Sequence, residues 1–205
     1  ELPDGLRPIQ PIPSQHKDTA AFLTKCCQVL ISAEADLNAL DAKSGDGDTG
    51  STLAGAARAL IDALDRMPLA DHTQLFRAIG QELSQTMGGS SGVLLAIFFT
   101  AAGDACSGGH GTLASLPEGL ARMQKIGGAQ IGDRTMVDAL KPALDELEAK
   151  GLADAAVAAR SGAAHTATIT KAKAGRASYI SAEQLDGHVD PGAEAVARLF
   201  EQLAT

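Results

Sequence analysis

Asp41-Ala42-Lys43-Ser44-Gly45-Asp46-Gly47-Asp48-Thr49-Gly50-Ser51-Thr52 places three carboxylates within eight positions, with glycines between them and hydroxyls just after. Carboxylate oxygens are the preferred ligands of hard divalent cations, and Mg²⁺ commonly bridges one or two carboxylates to substrate phosphates. Gly50, Ser51 and Thr52 add backbone amides and hydroxyls at the start of a helix, where anions are favoured. Within this stretch Gly45-x-Gly47-x-x-Gly50 matches the dinucleotide fingerprint as a string, but that fingerprint requires a preceding strand and a βαβ unit. An amphipathic helix leads into the stretch instead, and Asp46 and Asp48 would repel a pyrophosphate unless a cation intervened. The calcium-hand pattern fails as well. A loop opening at Asp41 closes on Thr52 and one opening at Asp46 closes on Ala57, so neither supplies the bidentate Glu. The stretch reads as an acidic junction between two helices.

Upstream, from Asp18 to Leu40, the apolar positions Phe22, Cys26, Val29, Ala33, Leu37 and Leu40 recur at helical spacing. Downstream, Leu53, Ala57, Leu60 and Leu64 mark a second helix. A third runs from about Asp71 to Met87, where Gly88-Gly89 stops it. Ser90-Ser91-Gly92 then opens the apolar run Val93 to Ala102, which is too short to span a bilayer and reads as a core helix. Further helices are expected from Glu118 to Ile126, from Asp133 to Lys150 with Pro142 bending it, and from Ala153 to about Ala164. The last helix has Asp190 as N-cap and Pro191 at its first position, followed by Val196, Leu199, Phe200 and Leu203. No window alternates with period two. The chain therefore reads as all-α, with about eight helices. Short connections between antiparallel helices gather the loops at two ends, so the acidic junction and Gly88-Gly89-Ser90-Ser91-Gly92 are expected to face one ligand.

At 205 residues, 45% hydrophobic and 20% charged, the sequence suits one globular domain. A net charge of −8 excludes a phosphate-backbone polymer as partner, because nucleic-acid binders carry a basic footprint. Aromatic residues at 3% with no Trp exclude base-stacking platforms. An acidic chain that takes a phosphate ligand needs metal as intermediary. Cys26, Cys27 and Cys106 fit neither a zinc site nor a disulfide framework, which points to a reducing cytoplasm. Residues 1–16 hold Pro3, Pro8, Pro11 and Pro13 and read as a semi-rigid interdomain linker, so residues 17–205 form the domain. The start without Met suggests a piece cut from a longer polypeptide.

Two more segments carry chemistry. Gly127 to Gly132 has P-loop spacing, but Asp133-Arg134 stands where Lys-Ser/Thr is required, so a Walker site is rejected. Gly175-Arg176-Ala177-Ser178-Tyr179 offers a guanidinium suited to bidentate phosphate contact. The ordered set Gly45-Asp46-Gly47-Asp48-Thr49-Gly50, Gly88-Gly89-Ser90-Ser91-Gly92, Gly132-Asp133-Arg134-Thr135-Met136, Gly175-Arg176-Ala177-Ser178-Tyr179 and Asp190-Pro191-Gly192-Ala193 resembles the nucleotide-binding (L-type) domain of dihydroxyacetone kinases. The likeness covers Lys17 to Thr205 and is greater to the single-chain, ATP-dependent kinases than to the separate subunits of phosphotransferase systems.

The resemblance implies a closed barrel of eight antiparallel helices that binds ATP at one end through two Mg²⁺ ions. By position, Asp41, Asp46 and Asp48 match metal-ligating aspartates. Thr49, Gly50, Ser51 and Thr52, with Gly89, Ser90 and Ser91, match phosphate-loop positions. Gly127, Thr135 and Met136 match positions near the nucleotide, and Asp190, Pro191, Gly192 and Arg176 belong to the same site. Arg176 is the candidate catalytic residue, supplying positive field to the transferring phosphoryl group. The implied partners are ATP or ADP, a substrate-binding domain of the same polypeptide that holds dihydroxyacetone through a His, and a second copy in a full-length homodimer. Members that work with phosphotransferase systems often carry His after the second loop aspartate; Thr49 stands here, which weakens the reading of a permanently bound ADP. Cyclisation of FAD to cyclic FMN at the same metal site and an ADP-carrying subunit are the alternatives. Of His16, His72, His110, His165 and His188, only His188 lies near the site in sequence, and none has the context of a base for the accepting hydroxyl.

Overall fold

The computed structural model describes residues 11–173 and 176–205, with Arg176 described by its backbone alone. Ten helices follow one another: α1 (Lys17–Ser32), α2 (Glu34–Asp41), α3 (Thr49–Ala63), α4 (His72–Thr86), α5 (Gly89–Ser107), α6 (Ser115–Gly127), α7 (Val137–Ala149), α8 (Leu152–Thr166), the short α9 (Ala182–Leu185) and α10 (Pro191–Leu203). No named strand occurs among the described residues. Eight of the ten make the ring. α1 packs on α3, each of α3 to α7 packs on the next helix in the chain, α8 packs on α10, and α10 closes back on α1. The expected all-α barrel is the observed fold.

Because neighbours in the ring are sequential, their directions alternate. The N-termini of α3, α5, α7 and α10 therefore gather at one end, together with the C-termini of α2, α4, α6 and α8. Each N-terminus carries amides without intrahelical partners and about half a positive charge.

Several sequence expectations shift. The single helix expected over Asp18 to Leu40 breaks at Ala33, beside Ser32, whose hydroxyl donates back to the Val29 carbonyl, a bond that bends helices. The break leans α2 over α3. There the Gly50 backbone comes so close that a Cβ would lie 2.1 Å from the Glu34 carbonyl. Gly88-Gly89 is not a loop of its own, since α5 starts at Gly89. That makes α5 a 19-residue helix of mean hydropathy 1.4, long and apolar enough by length and composition to cross a membrane. Here it is a stave packed between α4 and α6, with Phe98, Ala102 and Gly103 buried. Of the expected linker, residues 1–10 lie outside the described residues. Its end is docked: Ser14 donates its amide to Met67 O and accepts the Leu69 amide on its carbonyl.

Small side chains set the spacing. Ala139 and Ala143 of α7 meet Ala155, Ala159 and Ala163 of α8, all buried in one cluster with Phe98, Leu120, Met123 and Phe200. Pro142 lies inside α7 and cannot donate to the Asp138 carbonyl four residues back. Gly162 of α8 sits against that same carbonyl, where an added Cβ would stand 2.0 Å from the oxygen. Around the closure, Arg160 of α8 bonds Glu194 and Glu201 of α10, and Arg198 of α10 bonds Asp36 of α2.

A helical Gly→Ala change ordinarily stabilises by about 1 kcal/mol. At Gly162 the sign reverses. Gly162→Ala is expected to cost about 2 kcal/mol through overpacking, which lowers Tm by about 4–8 °C in a domain of this size. Gly55→Ala, on the exposed face of α3 with nothing within 4 Å of the added methyl, raises it. Thermal melts of the two variants check the contrast.

Candidate functional site

The end where the four helix N-termini meet is hollowed by a cleft of about 900 Å³. One wall is the acidic junction, with Asp41, Asp46, Asp48, Thr49 and Thr52; opposite stand Gly88 to Ser91, and Thr135, Met136 and Asp190 to Gly192 complete the rim. Leu94, Met123, Ile126, Ala129 and Met136 give one flank of the cleft an apolar lining.

The acidic junction folds around one carboxylate oxygen. Asp41 is buried at the end of α2, and its Oδ2 accepts the amides of Gly47, Asp48 and Thr49 at 3.1, 3.0 and 3.1 Å. Gly47 has a φ of +80°, a left-handed conformation that favours glycine and that brings the three amides round to one point. Asp41, Asp46 and Asp48 each present an oxygen within 4.8 Å of the others. Asp48 is the N-cap of α3, yet its side chain makes no capping bond. An all-oxygen donor set without His or Cys fits Mg²⁺ or Ca²⁺, and a cation there would offset the mutual repulsion of the three carboxylates.

Two expected site residues do not line the cleft. The Gly50 backbone is pressed against Glu34, as above. Ser51 donates its amide to Asn38 Oδ1, and its hydroxyl accepts from Asn38 Nδ2. The spacing of a helix explains both, because Thr49 and Thr52 share the inner face and Gly50 and Ser51 turn toward α2. Apart from Arg176, the other expected residues line the cleft. Gly89 (φ +73°), Ser90 and Ser91 open α5 without a side-chain cap, which leaves its first amides available to an anion. Gly127 ends α6, where a Cβ would come 2.9 Å from Leu94. The side chain expected of Arg176 lies outside the described residues; its backbone opens a short 3₁₀ turn, and Ala177 of that turn lines the cleft. Asp190 caps α10 as expected, through a 2.8 Å bond from the Ala193 amide.

Arg134 was legible in the sequence only as a motif member, and the structure places it in the wall of the cleft. It is 1% exposed and, among the described residues, is the one non-glycine with positive φ, at 61°. Backbone strain of that kind costs on the order of 1–3 kcal/mol. Nη2 donates to His188 O at 2.6 Å, while Nε and Nη1 have no hydrogen-bond partner among the described residues. His188 thus contributes a carbonyl rather than its ring. Asp138 braces the turn from behind, its two oxygens accepting the Gly132 and Thr135 amides at 2.6 and 2.8 Å. Next to it the Gln130 amide bond holds the Asp133 carboxyl below its usual range, aided by Lys173 against the effect of burial.

Burial pushes the Asp190 carboxyl up to about 6, against the pull of the Ala193 amide and of the nearby Arg134 charge. Burial likewise lowers Arg134, and the Asp190 charge partly restores it.

Residues 43–205 match the family model described as the DAK2 domain. The chain belongs to the DAK2 domain family. Dihydroxyacetone kinase of Citrobacter freundii is 50% identical over 196 residues, which are 94% of this chain and 36% of that protein. Triokinase/FMN cyclase of Homo sapiens is 40% identical over 202 residues, covering 93% of this chain and 35% of the relative. The crystal structure of the C. freundii kinase in complex with AMP-PNP and Mg²⁺ superposes with a TM-score of 0.85 at 42% identity, covering 100% of this chain and 36% of that one. This DAK2 domain therefore spans about a third of the length of the relatives it matches.

In the folded DAK2 domain Asp190 keeps its proton to about pH 6 rather than 3.8, so between those values the native state binds more protons than the unfolded chain. The residue's contribution to stability accordingly falls as pH rises from about 4 to about 6. Asp190→Asn, which retains an N-cap, removes this dependence. Melts of both proteins across that range are expected to show wild-type Tm declining relative to the variant as pH increases.

Proposed function

We propose that this chain is the Mg²⁺–ATP-binding domain of a dihydroxyacetone (glycerone) kinase, and that it delivers the γ-phosphoryl group to a hydroxyl of a triose held by another domain. The observation that carries the reading is the convergence, at one cleft, of three aspartate oxygens within 4.8 Å and four helix N-termini. Phosphoryl transfer needs positioning and charge neutralisation more than covalent help from protein, and this cleft is built for both. The superposed kinase structure is a complex with AMP-PNP and Mg²⁺, which supports the reading.

In this reading Asp41, Asp46 and Asp48 hold two Mg²⁺ ions, Asp41 through the oxygen not occupied by loop amides. The metal supplies charge neutralisation at the transferring phosphoryl group. The hydroxyls of Thr49 and Thr52, with the uncapped amides and hydroxyls at the start of α5 (Gly89, Ser90 and Ser91), receive phosphate oxygens. The apolar flank formed by Leu94, Met123, Ile126 and Met136 takes the base, and Gly127 keeps a methyl out of its way. Arg176 and Lys173 add positive field at the rim. Among the described residues no histidine lines the cleft, so the acceptor hydroxyl is activated by the domain that holds the triose. On the same reading the full-length protein is a cytoplasmic homodimer, in keeping with the three free thiols. The cyclase alternative has less behind it, since the Triokinase/FMN cyclases of Mus musculus and Homo sapiens are 40% identical, against 50% for the dihydroxyacetone kinase of C. freundii.

Calorimetric titration with ATP tests the proposal. Binding is expected in Mg²⁺ and lost in chelator, and Asp46→Asn is expected to weaken the Mg²⁺-dependent affinity tenfold or more, because an anionic ligand is removed. Equal affinity with and without metal would contradict the assignment. In a coupled assay the chain alone should leave dihydroxyacetone unphosphorylated, with turnover appearing when the substrate-binding part of a relative is added. Turnover without it would place the acceptor site in this domain.

A further inference from the structure

Arg134 is a buried cation that the metal-and-phosphate reading leaves unused. It projects from a left-handed position in the turn before α7, reaches across to the segment that leads into α10, and donates Nη2 to His188 O at 2.6 Å and, more weakly, to Leu185 O at 3.4 Å. Within this reach lies Asp190, whose amide is held by Thr166 Oγ1 at 2.8 Å and whose carboxylate holds the Ala193 amide. Gly192 packs where a Cβ would stand 3.3 Å from Met136 Cβ, so the start of α10 and the turn of Arg134 share one stretch of cleft wall. Leu185, fully buried, anchors the same segment from below.

A surface arginine would satisfy its N–H groups with water. Arg134 is sealed from water with Nε and Nη1 unmatched among the described residues, in a backbone conformation that side chains rarely adopt. Such a residue persists because its surroundings over-determine it, and here they fix one thing in particular. Two carbonyls from the segment before α10 accept from a single guanidinium nitrogen, the Asp190 charge acts on the same guanidinium, and Asp138 holds the turn behind it.

We propose that Arg134 is a positioning residue for the nucleotide site: by gripping the carbonyls of residues 185 and 188 and standing beside Asp190, it sets where the Asp190-Pro191-Gly192 turn meets the bound nucleotide. The inference rests on the nucleotide-binding reading above. In the protein without ligand, the Ala193 amide stays bonded to Asp190 only while Asp190 is held in place. A lysine at 134 keeps the charge but loses the rigid planar guanidinium whose Nη2 reaches both carbonyls.

The test uses Arg134→Gln, Arg134→Lys, Asp190→Asn and the double variant Arg134→Gln/Asp190→Asn, each titrated with ATP and Mg²⁺ well below its own Tm. Arg134→Gln is expected to weaken ATP about tenfold or more, and Arg134→Lys by less. Because both residues act on one turn, the double variant should lose no more than the worse single variant. Amide exchange without nucleotide should speed up at Gly187 and Ala193 in Arg134→Gln while the amides of α4 stay protected. A lowered Tm with unchanged ATP affinity, or losses that multiply in the double variant, overturns the proposal. Should Arg134→Gln fail to fold, Arg134→Lys with wild-type affinity and wild-type exchange at Ala193 does the same. If wild type itself fails to bind ATP while the exchange pattern holds, the nucleotide reading falls and the positioning role at α10 stands.

Discussion

One oxygen of Asp41 accepts three successive amides, and the working end of the barrel is organised around that clamp. A segment with three carboxylates in eight residues would, left to itself, splay its charges into water. Three amides on Oδ2 hold Asp41 in a buried position at the end of α2 and turn the chain through Gly47 into α3. The remaining oxygens of Asp41, Asp46 and Asp48 are thereby brought together at the mouth of the cleft.

The barrel supplies the opposite field. Alternation around the ring directs four N-termini at the cleft, and the starts of α3 and α5 lack side-chain caps. Acidic side chains and positive helix ends thus face one another across a space wide enough for a ligand carrying both a cation and an anion. This arrangement would let a chain of net charge −8 take a polyphosphate without a basic surface. It also depends on close helix approach. The pairing of Gly162 with the Asp138 carbonyl draws α7 and α8 together, and Asp138 is the residue whose carboxylate braces the turn of Arg134. Packing in the barrel wall and order at the rim are connected through that one residue.

Much of this was legible in the sequence because its signals are local. Helical periodicity, Asp190-Pro191 at a helix start and carboxylates interleaved with glycine each report on a few neighbouring residues, and the helices and the gathering of the three carboxylates followed from them. What escaped depends on contacts distant in sequence. Asn38 claims Ser51 across 13 positions, and Glu34 presses on Gly50 across a helix junction, so two residues that read as phosphate-loop positions face α2 rather than the cleft. The break at Ala33 had no proline or glycine to announce it. Arg134 stood within a quoted motif, yet its weight comes from carbonyls more than fifty residues away.

That distance bears on why the rim is built from strained and under-bonded parts. A guanidinium with unmatched N–H groups and a carboxyl pushed up to about 6 each destabilise the protein taken singly, whereas side by side each charge relieves the other. Replacing the pair by apolar residues of similar volume would ordinarily be neutral or stabilising for a fold. Its place behind the wall of the cleft, between the turn before α7 and the cap of α10, lets it fix the turn that a ligand would meet, and there charge confers something that apolar packing cannot. Fixed dipoles and charges arranged before a ligand arrives need no reorganisation when it binds. The stability given up at Arg134 and Asp190 is therefore best understood as preorganisation of the rim.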